Sequence, residues 1–396
     1  MNELLKKFSS IIRSKQVVRW VPVVVILIVI IVSFVTCSKR GKIDEELESP
    51  PTETVIKESP SETPTASTPS INETPDTSET PVETTPEEVD PGPRNPLTGL
   101  PCEEDVLIKR PIAIMINNIS VAQPQLGVSK ADIIYEMLVE GGITRMMALF
   151  SDMTGVGVIG SIRSARPYYI DVAVSYDAVY IHAGGSPQAY TMLRAPNITS
   201  LDGVGGRDDI FYRDQWRRTN LGSEHSLVST GELIAKWLPT YDFRLEHEED
   251  YDNSMLFTED GKPDKGSPAT EFSVMFSSSK STSFTYDTED KQYYLRQYNK
   301  PYNDGNDNTQ LAVTNVLILK TAVANIQGDR EGRITVATVG TGSGYFICGG
   351  AYVEIEWSRE VGGRFTYKLK DGSDLVLGTG KTYICVIPNA NDVSIA

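Results

Sequence analysis

Three arginines and a glutamate gather the most chemistry in this chain. They sit at the two ends of EGGITRMMALFSDMTGVGVIGSIRSARPYYID, residues 140–171. Glu140, Gly141, Gly142 and Arg145 stand before one apolar run; Arg163, Ser164 and Arg166 stand after a second. A guanidinium is a rigid fork of donors that suits carboxylate or phosphate. Arg163 and Arg166 are three apart where a helix should begin, so both would project from one turn. Free N–H groups and the helix dipole favour an anion there. Ser161 and Ser164 can cap the helix or donate to the same anion. The bland alternative is an internal salt network with Glu140, Asp152 and Asp171. Three arginines beside Gly-Gly favour the pocket. Glu140 reads first as an arginine partner and second as a catalytic acid or base.

Further candidates lie downstream. His182 ends the strand-like DAVYIHA and precedes Gly184, Gly185 and Ser186. A strand that runs into Gly-Gly-Ser and a helix sets polar groups at the strand's carboxyl end, where α/β sheets bind ligands. A lone histidine is more often structural, and Ser186 reads as an N-cap. His225 can reach the same cleft or its rim. Residues 207–218 mix Arg207, Arg213, Arg217 and Arg218 with Tyr212 and Trp216. Such a loop suits a sugar or peptide as well as it suits packing onto its own domain. No G-x-S-x-G elbow supports a hydrolase triad. No C-x-x-C supports a zinc site, and no metal or cofactor is expected.

Several elements must position these groups. RPIAIMIN (110–117) and Ile133 to Val139 read as buried strands. Thr144 to Asp152 and Val156 to Ile162 read as a hairpin, which brings the two polar ends together. Pro167 suits the first turn of a helix, with Tyr169, Val172, Ala173 and Tyr176 at helical spacing. Ser229 to Glu232 is a capping box. From residue 271 onward short runs such as FSVMF, YYLRQY, NVLILK and KTYICVIP alternate with Gly, Asp and Asn, the signature of a β domain. The expected fold is α+β: a mixed-sheet domain of α/β type, 94–243, a connection, 244–270, and a mainly antiparallel all-β domain, 271–396. Cys348 and Cys385 fall in strands of the second domain and either pair or sit as small buried hydrophobes.

The remainder of the chain sets location. Residues 1–16 are basic and precede the apolar run 17–37. That run is long enough to span a membrane, and the positive charge before it places the bulk of the chain outside. Cys37 offers a lipidation alternative, but Phe34, Val35 and Thr36 fit a lipid box poorly, so an uncleaved anchor is favoured. Residues 38–93 are Pro, Thr, Ser and Glu and read as a disordered spacer. The formal net charge of −16 excludes a nucleic-acid protein that works through a broad basic face. The 396 residues accommodate two or three domains.

NPLTGLP, RPIAIMINN, AQPQLG, ADIIYEMLVEGGITRMMALF, IGSIRSARPYYID and GGSPQA resemble the YerB-like family, as do TQLAVTNVLIL, VGTGSGYFICGG and KDGSDLVLGTGKTYICVIP. The resemblance covers residues 95–390. It implies a membrane- or lipid-anchored bacterial envelope protein with an N-terminal and a C-terminal domain of unassigned activity. Where that family has Pro-His-Asn, this chain has Glu224, His225 and Ser226. A weaker similarity is to the LytR-CpsA-Psr ligases, whose arginines hold a lipid pyrophosphate. Arg145 stands where that family has an acidic residue, and SIRSAR replaces its Pro-Arg-Asp. The expected function is an extracytoplasmic tethered protein that binds an anionic wall component or a wall-synthesis partner. The alternative is an enzyme on wall polymer or polyprenyl-phosphate-linked glycan, with Glu140 as acid and base.

Overall fold

The computed structural model of the chain describes residues 92–252 and 255–396. The apolar run 17–37, with Cys37, and nearly all of the expected spacer lie outside the described residues. Among the described residues, no helix is long and apolar enough to cross a membrane.

One sheet carries the architecture. Its first strands are β1 (Ile112–Asn117), β2 (Ile133–Leu138) and β3 (Thr144–Phe150), every residue of them buried. Continuous apolar runs of this kind belong to strands covered on both faces. β3 lies between β1 and β2, antiparallel to both. β5 (Val179–His182) adds parallel to β1, and β6 (Ser200–Asp202) parallel to β5. The carboxyl ends of β1, β2, β5 and β6 and the start of β3 therefore share one edge.

The expected hairpin is a different one. Strand 144–150 turns back on β2 through Glu140–Gly142, with Leu138 opposite Thr144. The second apolar run forms β4 (Val158–Gly160), which joins β7 (Tyr212–Arg213) and β8 (Leu227–Thr230) in a separate three-stranded sheet and pairs with β8. Gly141 and Gly142 explain the change: both have φ near +70°, which makes Glu-Gly-Gly the tight turn. The two polar ends still meet, because Arg145 lies opposite Asn117 on β1 and the Asn117 N–H donates to Ser161 O at 3.0 Å.

Helix α1 (Pro167–Ser175) begins at its proline and lays Tyr168, Tyr169, Ile170, Val172 and Ala173 on one face of the sheet. Short helices α2 (Pro187–Met192), α3 (Gln215–Asn220) and α4 (Gly231–Trp237) complete the first half. Beyond Thr240 the described residues are strands and loops. Strands β9 (Glu271–Ser277), β10 (Lys280–Asp287) and β11 (Gln292–Gln297) form an antiparallel meander in a second sheet. Its apolar side, with Phe272, Val274, Phe284 and Leu295, covers the other face of the main sheet.

Strands β12 (Asn315–Thr321), β13 (Gly340–Cys348), β14 (Ala351–Arg359) and β15 (Thr382–Pro388) return to the main sheet. β15 runs parallel to β12 on one side and to β2 on the other. The sheet is thus mixed and continuous between the first and second halves, with the order β14-β13-β12-β15-β2-β3-β1-β5-β6.

Candidate functional site

The arginine site grows from the shared strand edge. Arg145 is the second residue of β3, and Arg166 is the N-cap of α1. Residues 163–165 are held as an extended segment: Arg163 N–H donates to Met115 O at 2.9 Å, and Ala165 N–H donates to Gly184 O at 2.9 Å. Arg163 and Arg166 therefore do not share a helical turn, as their spacing suggests. They come together because this segment threads between β1 and the loop after β5.

Glu140 is the hub. Arg166 Nε donates to Glu140 Oε2 at 3.0 Å, and its Nη2 donates to Oε1. Arg145 Nη2 donates to the same Oε1 at 3.4 Å, and Nη1 donates to Ser164 O at 2.7 Å. Partial burial alone would raise the Glu140 carboxyl; the hydrogen bond from Arg166 and the charge of Arg145 outweigh it and hold the group below its usual range. A carboxyl held ionised in this way suits a counter-ion better than a general acid.

One carboxylate does not balance the site. Arg163 donates to Glu224 O at 2.7 Å, while its Nε is buried without a hydrogen-bond partner. Burial and the neighbouring Arg166 pull the Arg145 guanidinium down to about 10. Burial likewise lowers Arg163, with Arg166 adding to it against Glu224. Three guanidinium groups crowd the Glu140 carboxylate, with the exposed Glu224 acting on Arg163 from the rim, and the like charges register on each other.

The other expected residues divide into two sets. His182, Gly184, Gly185 and Ser186 lie beside the arginine segment. His182 Nδ1 donates to Gly184 O at 2.8 Å, which in the neutral ring makes Nε2 the acceptor; burial lowers its basicity. Asp202 accepts from Gly184 N–H at 2.8 Å and from Tyr190 OH at 2.8 Å. Ser186 caps α2, accepting from Ala189 N–H at 3.1 Å. Asp171 turns away from Glu140: it accepts from Thr338 Oγ1 at 2.6 Å and from Arg359 Nη1 at 2.5 Å. A cleft of about 310 Å³ joins Arg166 to Asp171 and Ser186, lined also by Tyr168 and Arg333. A larger one of about 820 Å³, near Phe365 and Tyr367, does not touch the arginines.

His225 stands next to Arg163, with Nδ1 3.0 Å from Asn117 Nδ2. In the aromatic loop, Arg217 is a structural clamp that donates to His225 O, Pro124 O and Ala122 O, while Trp216 is exposed. Cys348 and Cys385 are free. β12 separates their strands, about 10 Å at sheet spacing, and they face opposite cores, so they do not pair. Among the described residues no three His, Cys, Asp or Glu side chains cluster as a metal site.

Residues 97–244 match the model "Protein of unknown function (DUF3048) N-terminal domain", and residues 272–384 match the corresponding C-terminal domain. A Bacillus subtilis (strain 168) protein named "Putative lipoprotein YerB" is 30% identical over 305 residues, which cover 76% of this chain and 88% of that protein. The chain belongs to the DUF3048 family. The crystal structure of the YerB protein from Bacillus subtilis aligns with a TM-score of 0.66 at 28% identity, covering 76% of this chain and 99% of that one. The DUF3048 N-terminal match holds the whole arginine site, from Glu140 to Asp202.

Proposed function

We propose that this DUF3048 protein is tethered to the outer face of the membrane by residues 17–37, either as an uncleaved span or through Cys37. There it binds an anionic group of the cell envelope, on a wall polymer or a wall-synthesis partner, through Arg145, Arg163 and Arg166. The lipoprotein name of the Bacillus relative supports the tether. The observation that carries the binding reading is the charge surplus: three arginines face the Glu140 carboxylate and the exposed Glu224, and Arg163 Nε is buried without a hydrogen-bond partner. An anion that enters there would relieve like-charge crowding that Glu140 relieves only in part.

Glu140 committed to two arginines favours binding over acid–base catalysis. The test is co-sedimentation of the full-length protein with a purified anionic wall glycopolymer, alongside calorimetric titration with inorganic pyrophosphate. Arg163→Ala should weaken binding roughly tenfold, the scale of one charge-assisted hydrogen bond. Glu140→Gln removes the internal competitor and should leave binding as tight or tighter. If Glu140→Gln abolishes turnover of the polymer, the site is an enzyme's. If neither variant changes binding, the arginines are structural ion pairs.

A further inference from the structure

A second polar group lies deep between the two sheets, and the arginine site does not use it. Glu136 is the one charged residue in the β2 run IIYEML and is fully buried. Its Oε1 accepts from Asn118 Nδ2 at 2.8 Å and from Thr144 Oγ1 at 2.6 Å. Its Oε2 accepts from Thr282 Oγ1 and Tyr383 OH, both at 2.7 Å. Lys280, at the start of β10 in the other sheet, brings Nζ to 3.2 Å from the same Oε1. The contact is close enough for an ion pair, yet its angle completes no hydrogen bond. Asn118 Oδ1 is also buried without a partner. The ring of Tyr298 closes over Nζ at 4.6 Å, and its OH donates to Asn118 O at 2.7 Å.

An amine, a carboxamide and a carboxylate thus meet in one buried site, and the first two touch the same carboxylate oxygen. We propose that Lys280 and Asn118 become joined by an intramolecular isopeptide bond, with Glu136 as the proton carrier. Glu136 takes a proton from the Lys280 ammonium. The free amine attacks Asn118 Cγ, and a proton passes from the attacking nitrogen to Nδ2. The Cγ–Nδ2 bond breaks as the Nζ–Cγ bond forms. Ammonia leaves and carries off the proton held by Glu136, so the product is an amide, an ammonium ion and the original carboxylate. Nothing is oxidised or reduced.

The environment favours each step. A buried ammonium without full hydrogen bonding is costly, and conversion to a neutral amide removes that cost. Burial pulls the Lys280 amine down against the opposing pull of Glu136, which raises the share of the nucleophilic form. Both groups are held on one carboxylate oxygen, which replaces a bimolecular encounter, and burial protects the product. The bond would fasten the second sheet to the end of β1 and constrain the unfolded chain, as any cross-link between distant residues does.

Peptide mapping of the full-length protein recovered from membranes decides the matter. Trypsin cannot cut after a lysine whose amine is an amide. The wild type should yield a branched peptide that joins the segments of Asn118 and Lys280, lighter than their sum by one ammonia. Lys280→Arg and Glu136→Gln should yield none. Asn118→Asp should restore a branch lighter by one water, which separates chemistry from misfolding. Free wild-type peptides, cut after Lys280, would overturn the bond. So would a wild-type branch to the Glu136 segment, because the acceptor would then be the carboxylate.

Discussion

Asp177 sits at the corner between α1 and β5 and gathers two arginines and a histidine. Arg244 donates to both of its carboxylate oxygens at 2.7 Å, His247 Nδ1 lies 3.0 Å from Oδ2, and Arg110 Nε lies 3.2 Å from Oδ1. Partial burial pushes the carboxyl up, but the hydrogen bonds from His247 and Arg244 prevail and hold it down at about 2. The folded value is below the ordinary 3.8, so the stabilisation is fully present above that value and is lost as pH falls from there toward about 2. Asp177→Asn should therefore cost on the order of 1–2 kcal/mol at neutral pH, after an allowance for solvent screening. Asn tolerates the local φ of 48°, so the backbone should not confound the result. Urea midpoints of wild type and variant should converge as the pH drops below about 4; a constant gap would sink the assignment. At this scale the sequence shows charge that clusters near turns, such as Arg145, Arg163 and Arg166. It does not show which lone charge in a strand matters. Glu136 looks like one polar interruption in IIYEML, because Asn118, Lys280 and Tyr383 reach it from distant parts of the chain.

Strands of the second half are legible because alternation along YYLRQY or FSVMF reports one buried face. Partner choice is not legible in the same way. Two apolar runs joined by a Gly-rich turn look like a hairpin, yet β3 pairs with β1 and β2, and β4 pairs with β8. Pairing is settled by which faces must be covered, and periodicity along one strand carries no record of that. Gly344 shows how tightly pairing constrains an element. It lies mid-strand in β13, flanked by β12 and β14. A Cβ built there would stand 2.2 Å from Ile318 O, so the β12–β13 ladder would have to part. Gly344→Ala should cost about 2 kcal/mol or more, measured by chemical denaturation. Gly141→Ala is the useful contrast. Its Cβ meets nothing within 4 Å, and only its φ of 73° is unfavourable. That change should cost about 1 kcal/mol. Equal costs would mean that the close approach at Gly344 is relieved by a small strand shift.

The whole molecule turns on the seam made by β15. This strand is near the end of the chain, yet it lies between β2 of the first half and β12 of the second. Ile133 and Asn315 both stand opposite Thr382, and Met137 and Leu319 both stand opposite Val386. Tyr383, Cys385 and Ile387 enter the core beneath the second sheet, while Ile384 and Val386 enter the core beneath α1. Removal of β15 would open two strand edges and uncover both cores at once. The halves should therefore unfold in one cooperative transition even though separate family models match them. Trp216 and Trp237 report on the first half and Trp357 on the second, so fluorescence and far-UV circular dichroism should give the same urea midpoint. Ile384→Asp, which buries an unpaired carboxylate at a fully buried position, should lower that midpoint for every probe together. Asn118→Ala should keep the single transition, because the seam needs no covalent link to couple the halves. Two separated transitions in the wild type, one for each half, would show that the shared strand does not carry the coupling assigned to it.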